Sequence, residues 1–192
     1  MPAQTHATKM GFDILIWGIL LLLSPAEKVT DTVAAVLLIV AYRKSGKYLP
    51  DMLRAEKFSF GFLAIGILEI IFGYIFPMEM VLSAISIVRA AVLMVIFLCT
   101  VRGVRDLAQV AEDAILYDRA AGLIKPIYII SAAKMLSLVL VEFFPVLSPL
   151  LICAKVCEAV LVLMIFQISF KCYKDINIYP AAVADEDDEE LS

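Results

Sequence analysis

Long apolar runs alternate with short basic stretches along the whole of this 192-residue chain. Six runs stand out, at about 10–24, 28–43, 58–76, 79–101, 126–144 and 148–170. At ~1.5 Å per residue the last four reach ~28–35 Å, which matches a hydrocarbon core of ~30 Å. The first two are weaker, with acids near their ends at Asp13 and Asp31, and a re-entrant or partly interfacial pair is open there. Lys9 ahead of the first run suggests a signal peptide. However, Ser24-Pro25-Ala26-Glu27-Lys28 offers no small-x-small cleavage pattern, so the run is expected to stay.

Basic residues fall on alternate connections. Arg43, Lys44, Lys47, Arg54 and Lys57 separate runs two and three, Arg102, Arg105, Arg119 and Lys125 separate runs four and five, and Lys171 and Lys174 follow run six. The other connections contain Pro25, Pro77 and Pro145 and, among bases, only Lys28. The positive-inside rule then predicts six transmembrane helices in three antiparallel hairpins, with both termini in the cytoplasm. The fold class is thus all-α, a polytopic integral membrane protein. Laying 89–106 over 158–175 aligns Ala90 with Ala159, Ile96 with Ile165, Phe97 with Phe166 and Asp106 with Asp175. It also pairs Arg102 with Lys171 and Arg105 with Lys174, which suggests a parallel repeat of the hairpin unit.

Outside the apolar runs, residues 102–122 read as a cytoplasmic helix continuing run four, with Val104, Leu107, Ala108, Ala111 and Ile115 on one face. Leu49–Lys57 reads as a shorter helix opened by Pro50. The domain plan is a cytoplasmic tail 1–9, a membrane domain 10–176 and an acidic, disordered cytoplasmic tail 177–192.

Composition agrees with this plan. The chain is 62% hydrophobic, against roughly 45–50% in soluble domains. Its net charge of −4 comes from the run Asp185 to Glu190; without those six acids the balance is +2. Nothing forms a nucleic-acid surface. No Gly-rich phosphate loop appears, and the one histidine, His6, leaves no paired-histidine zinc motif and no serine–histidine triad. No catalytic residue, cofactor or metal is therefore expected. Cys153 and Cys157, one helical turn apart, are expected as buried structural thiols rather than a soft-metal pair.

The chemistry-bearing feature is a set of charges inside apolar runs. Glu69, Arg89, Lys134 and Glu158 each lie ~12–17 Å from a span end, and such charges are costly enough to face a bundle interior. Small residues beside them (Gly66, Ser86, Ala90, Ser131) favour that inward face. Lys155 is three residues from Glu158 and Glu142 eight from Lys134, so a ladder Lys134–Glu158–Lys155–Glu142 is expected to run outward from the midplane.

The expected function is non-enzymatic: binding or conduction of a small solute or ion at this charged site. Glu69 and Glu158 would face protons or cations, and Arg89 and Lys134 would act as countercharges. In the alternative, the charges are only buried salt bridges of a structural or regulatory protein acting through partners. The expected surroundings are a lipid bilayer, here a bacterial plasma membrane, with a second copy or a cytoplasmic protein as partner. In outline the chain resembles the substrate-binding subunits of energy-coupling-factor vitamin transporters. Its first helix, Gly11-Phe12-Asp13-Ile14-Leu15-Ile16-Trp17-Gly18, lacks their Ala-x-x-x-Ala docking pattern. The three proline-turn hairpins also resemble small acid-resistance membrane proteins, whose spans are nearly free of charge. Neither resemblance assigns a family.

Overall fold

A computed structural model describes residues 11–24, 27–47, 49–75 and 79–175. The tails 1–9 and 177–192, and the turn prolines Pro25 and Pro77, lie outside the described residues. The described chain is all-helical: α1 Phe12–Leu21, α2 Glu27–Ser45, α3 Pro50–Ile70, α4 Glu79–Val110, α5 Ala114–Phe143 and α6 Ser148–Asp175. A π turn, Ile71–Ile75, extends α3, and a 3₁₀ turn, Pro145–Leu147, leads into α6.

Four helical stretches are long and apolar enough to cross a membrane: Pro50–Ile75, Met80–Val110, Ala114–Phe143 and Pro145–Lys174. The first two helices fall short for different reasons. Ten residues carry α1 only ~15 Å, and α2 dilutes its apolar run with Thr30, Asp31, Thr32, Arg43 and Lys44.

Helix boundaries differ from expectation where local chemistry intervenes. Pro50 sits at the start of α3, where a missing N–H costs nothing, so the short helix expected over Leu49–Lys57 is the first part of α3 itself. The single helix expected over 102–122 is instead two helix ends. Glu112 takes a left-handed φ of 55°, which breaks the run, and the Asp113 carboxylate then caps α5 by accepting the Leu116 amide at 2.9 Å. Pro126 lies inside α5 instead of opening it. Its ring faces the carbonyl four residues back, and that position is Gly122, with open space around it.

Each helix packs against the next in the chain, and α6 closes the ring by packing on α1 and α4. The seams between α1, α2 and α3 are tight because glycines allow close approach: a methyl group on Gly18 would meet Leu38, and one on Gly66 would meet Thr32. Trp17, Met80, Ile129, Phe143 and Val146 are turned outward and exposed. Apolar outer faces around a partly polar interior suit a lipid environment and would be a liability in water.

Lys171 on α6 reaches the same Asp113 at 2.7 Å, tying the end of α6 to the α4–α5 corner. The Lys171 ammonium, helped by the Leu116 amide, holds the Asp113 carboxyl below its usual value of 3.8. The contact therefore stabilises the fold at neutral pH and loses that contribution as pH falls below ~4 and through the depressed folded value. Asp113→Ala is expected to cost about 1–2 kcal/mol and to speed hydrogen exchange at the 114–117 amides at pH 7. Unchanged exchange would show that the corner holds without this cap.

Candidate functional site: a charged cavity inside the helix ring

Arg89 on α4 sits between two carboxylates. One guanidinium nitrogen, Nη2, contacts Asp31 of α2, and Nη1 lies 3.1 Å from Oε2 of Glu69 on α3. Asp31 and Glu69 are only 3% and 4% exposed, and each makes an ion pair with Arg89. The Phe62 ring lies 5.9 Å from the guanidinium carbon and adds a cation–π contact. Across the ring, the Lys134 ammonium of α5 pairs with Glu158 of α6. Intramembrane charges are tolerated where they neutralise one another in this way.

The two clusters share a cavity of about 270 Å³. Asp31, Arg89, Lys134, Lys155 and Glu158 contribute charge to its wall, Ser24 and Ser86 add hydroxyls, and leucines such as Leu22, Leu93 and Leu138 complete it. Glu69 stands behind Arg89 and is not part of the wall.

Helix offsets explain why space remains. The contacts Asp31–Arg89 and Tyr42–Thr100 are separated by the same number of residues on each helix, so α2 and α4 run parallel and in register. Beyond Arg89, α4 continues to Glu79, ~15 Å further; beyond Asp31, α2 continues only to Glu27, ~6 Å. Helices α5 and α6 extend ~14–15 Å past Lys134 and Glu158. The first helix pair is thus recessed, and the residues after α1, Leu22 to Ser24, border the resulting space. In the opposite direction, Leu38, Ile96 and Ile165, each seven residues past Asp31, Arg89 and Glu158, are fully buried and form an apolar layer. Below that layer the Tyr42 hydroxyl bonds Thr100 Oγ1 at 2.6 Å, while Thr100 donates to the Ile96 carbonyl at 2.8 Å.

The sequence-expected residues divide accordingly. Glu69, Arg89, Lys134 and Glu158 all turn inward, and Lys155 joins them on the cavity wall. Glu142 does not continue the expected ladder: it is exposed and accepts a hydrogen bond from Ser83 of α4 at 2.6 Å. Its depth fits the ladder, but α4 is the nearer neighbour at that level. Cys153 and Cys157 are exposed, not buried, because α6 buries the stripe through Ala154, Leu161, Val162 and Ile165 and the cysteines lie beside it. Among the described residues no group of three or more potential ligands could hold a metal ion.

Asp31 is the residue that sequence reading left out. A register signal for it existed. The steps from Asp31 to Lys44, Arg89 to Arg102 and Glu158 to Lys171 are equal, and each ends on a pair of bases three apart: Lys44 and Lys47, Arg102 and Arg105, Lys171 and Lys174. The equivalence extends to burial, since Leu38, Ile96 and Ile165 match, as do the buried hydroxyls of Tyr42, Thr100 and Ser169. Extending the α4–α6 alignment to α2 therefore brings a charge to the same level on all three helices.

The π turn begins two residues after Glu69. Such single-turn insertions occur mostly at functional positions, where they re-aim a helix face. The cavity combines charged and hydroxyl side chains with leucines and lies at the recessed end of the first helix pair. No family model, curated protein or solved structure matches this chain.

Proposed function

We propose that this chain is a multi-pass plasma-membrane protein that binds or conducts a small solute or ion in its central charged cavity. In this reading its six helices form three antiparallel hairpins with both termini cytoplasmic. The basic residues on alternate connections support that orientation. The parallel register of α2 and α4 is what repeated hairpins would produce. The recessed first pair then opens the cavity toward the side away from the cytoplasm, above the layer of Leu38, Ile96 and Ile165.

The observation that carries the reading is open space between the ion pairs. Salt bridges that serve only to fix helix register need close geometry to offset desolvation, and have no need of a charge-lined space between them. Here about 270 Å³ separates an arginine cluster from a lysine cluster, and five charged residues face into it. Protein extracted into nanodiscs and weighed by native mass spectrometry is expected to retain a small molecule or ion of defined mass. Glu158→Gln is expected to lose it while keeping a folded, monodisperse chain. Loss of assembly in that variant, with no ligand on the parent protein, would instead assign the charges a structural role.

A further inference from the structure

Helices α2, α4 and α6 finish at the same end of the bundle. The Tyr42 hydroxyl of α2 bonds Thr100 of α4, so Lys44 and Arg102, each two residues further on, share a level on neighbouring helices. Arg43 precedes Lys44, and Lys47 follows it in the turn after α2. Lys171 of α6 reaches Asp113, just past α4, which brings Lys174 to this end as well. Arg43, Lys47 and Lys174 are exposed, and Lys44 and Arg102 are half-buried. Three acids nearby are already engaged: Asp51 by Arg54, Asp106 by Arg105 and Asp113 by Lys171. Among the described residues, none of the five bases Arg43, Lys44, Lys47, Arg102 and Lys174 forms a salt bridge. Orientation in a membrane accounts for bases at this end. It does not supply them with counterions, and like charges held side by side repel.

The chain itself carries a matching partner. Past Asp175 it continues through residues 176–192, with six acids in the run Asp185 to Glu190 and no base. We propose that this acidic segment docks on the basic rim formed by Arg43, Lys44, Lys47, Arg102 and Lys174. The segment starts from the right place, since α6 ends at the rim. It is also long enough. The ten residues from Asp175 to Asp185 can span up to ~33–36 Å. Helix α6 packs on α1 and α1 on α2, so two helix spacings of ~8–10 Å separate α6 from α2. The charges are complementary, because the rest of the chain has a balance of +2 without those six acids. A tethered segment meets the rim at an effective concentration in the millimolar range, whereas a lipid headgroup or another chain must be recruited.

Zero-length carbodiimide coupling of carboxylates to lysines tests the contact in the full chain, held one copy per nanodisc of phosphatidylcholine. Peptides that join residues 185–190 to each lysine are counted by mass spectrometry and normalised to that lysine's labelling by an amine-reactive ester. Coupling to Lys44 and Lys47 is expected to exceed coupling to Lys57 and Lys125, exposed lysines away from the rim, by about fivefold or more. It should fall by a similar factor in 1 M salt, where screening acts within ~3 Å. Changing all six acids to Asn or Gln is expected to raise ester labelling of Lys44 and Lys47 at least twofold, with the melting temperature unchanged.

Equal coupling to all four lysines, or coupling to Lys174 alone, would overturn the proposal. So would coupling to Lys44 and Lys47 found only between isotopically heavy and light chains in nanodiscs holding two copies, which would assign the rim to a second copy. Protection of Lys44 and Lys47 that appears only in phosphatidylglycerol and is indifferent to the six acids would assign it to anionic lipid.

Discussion

Replacing Arg89 with leucine is expected to remove nearly all folded protein from the membrane. Arg89 is the shared partner of Asp31 and Glu69, both almost fully buried. Removing one member of a buried ion pair typically costs 3–5 kcal/mol, because the remaining charge is left without compensation. Here two buried carboxylates would each lose an ion pair, against a total stability of ~5–15 kcal/mol for an ordinary domain. Fluorescence-detected size-exclusion chromatography of the tagged chain in mild detergent measures the outcome. The parent should give a symmetric peak and Arg89→Leu little or none. Neutralising all three positions, as Asp31→Asn, Glu69→Gln and Arg89→Leu together, should recover much of the peak. Buried neutral amides need only hydrogen bonds, whereas orphaned carboxylates need a countercharge. Arg89→Lys should fall between, because an ammonium lacks the planar fork that addresses two acids at once. A full peak from Arg89→Leu alone would mean that the two acids are neutralised by something other than Arg89.

What the sequence allowed, and what it did not, follows from how these charges are placed. Depth along a helix can be counted, so the inward facing of Glu69, Arg89, Lys134 and Glu158 was legible from their distance to the span ends and from the small residues beside them. Pairing cannot be counted in this way. Four charges at one depth allow several pairings, and the choice of Glu69 for Arg89 and Glu158 for Lys134 follows from the order of helices around the ring. Asp31 was passed over because it lies only four residues into α2, which suggests an interfacial acid. Its depth is set by the recess of the first helix pair, a tertiary offset that composition does not report. Glu142 shows the converse: its helical phase suited the ladder, yet Ser83 was closer. The break at 111–113 depends on one left-handed residue, Glu112, and the apolar periodicity on either side continued through it.

Exchanging Lys134 and Glu158 separates the two readings of these charges more sharply than any neutralisation. Lys134→Glu alone sets two carboxylates against each other near mid-depth, where the parent has an attractive pair. Like charges at such a site repel, and both are deprived of a countercharge, so the expected cost is again at least about 3 kcal/mol and the folded peak should largely vanish. Adding Glu158→Lys restores one acid and one base at the same contact. Helix register depends on the pair being opposite in sign and indifferent to which helix carries which charge, so the double variant should regain most of the folded yield. A ligand is not indifferent. Its groups meet a carboxylate where an ammonium stood, and affinity should fall tenfold or more, equivalent to about 1.4 kcal/mol. Recovery of fold without recovery of binding would identify the pair as part of a recognition surface. Recovery of both would show that the pair only fastens α5 to α6, and the search for the site would then move to the arginine cluster.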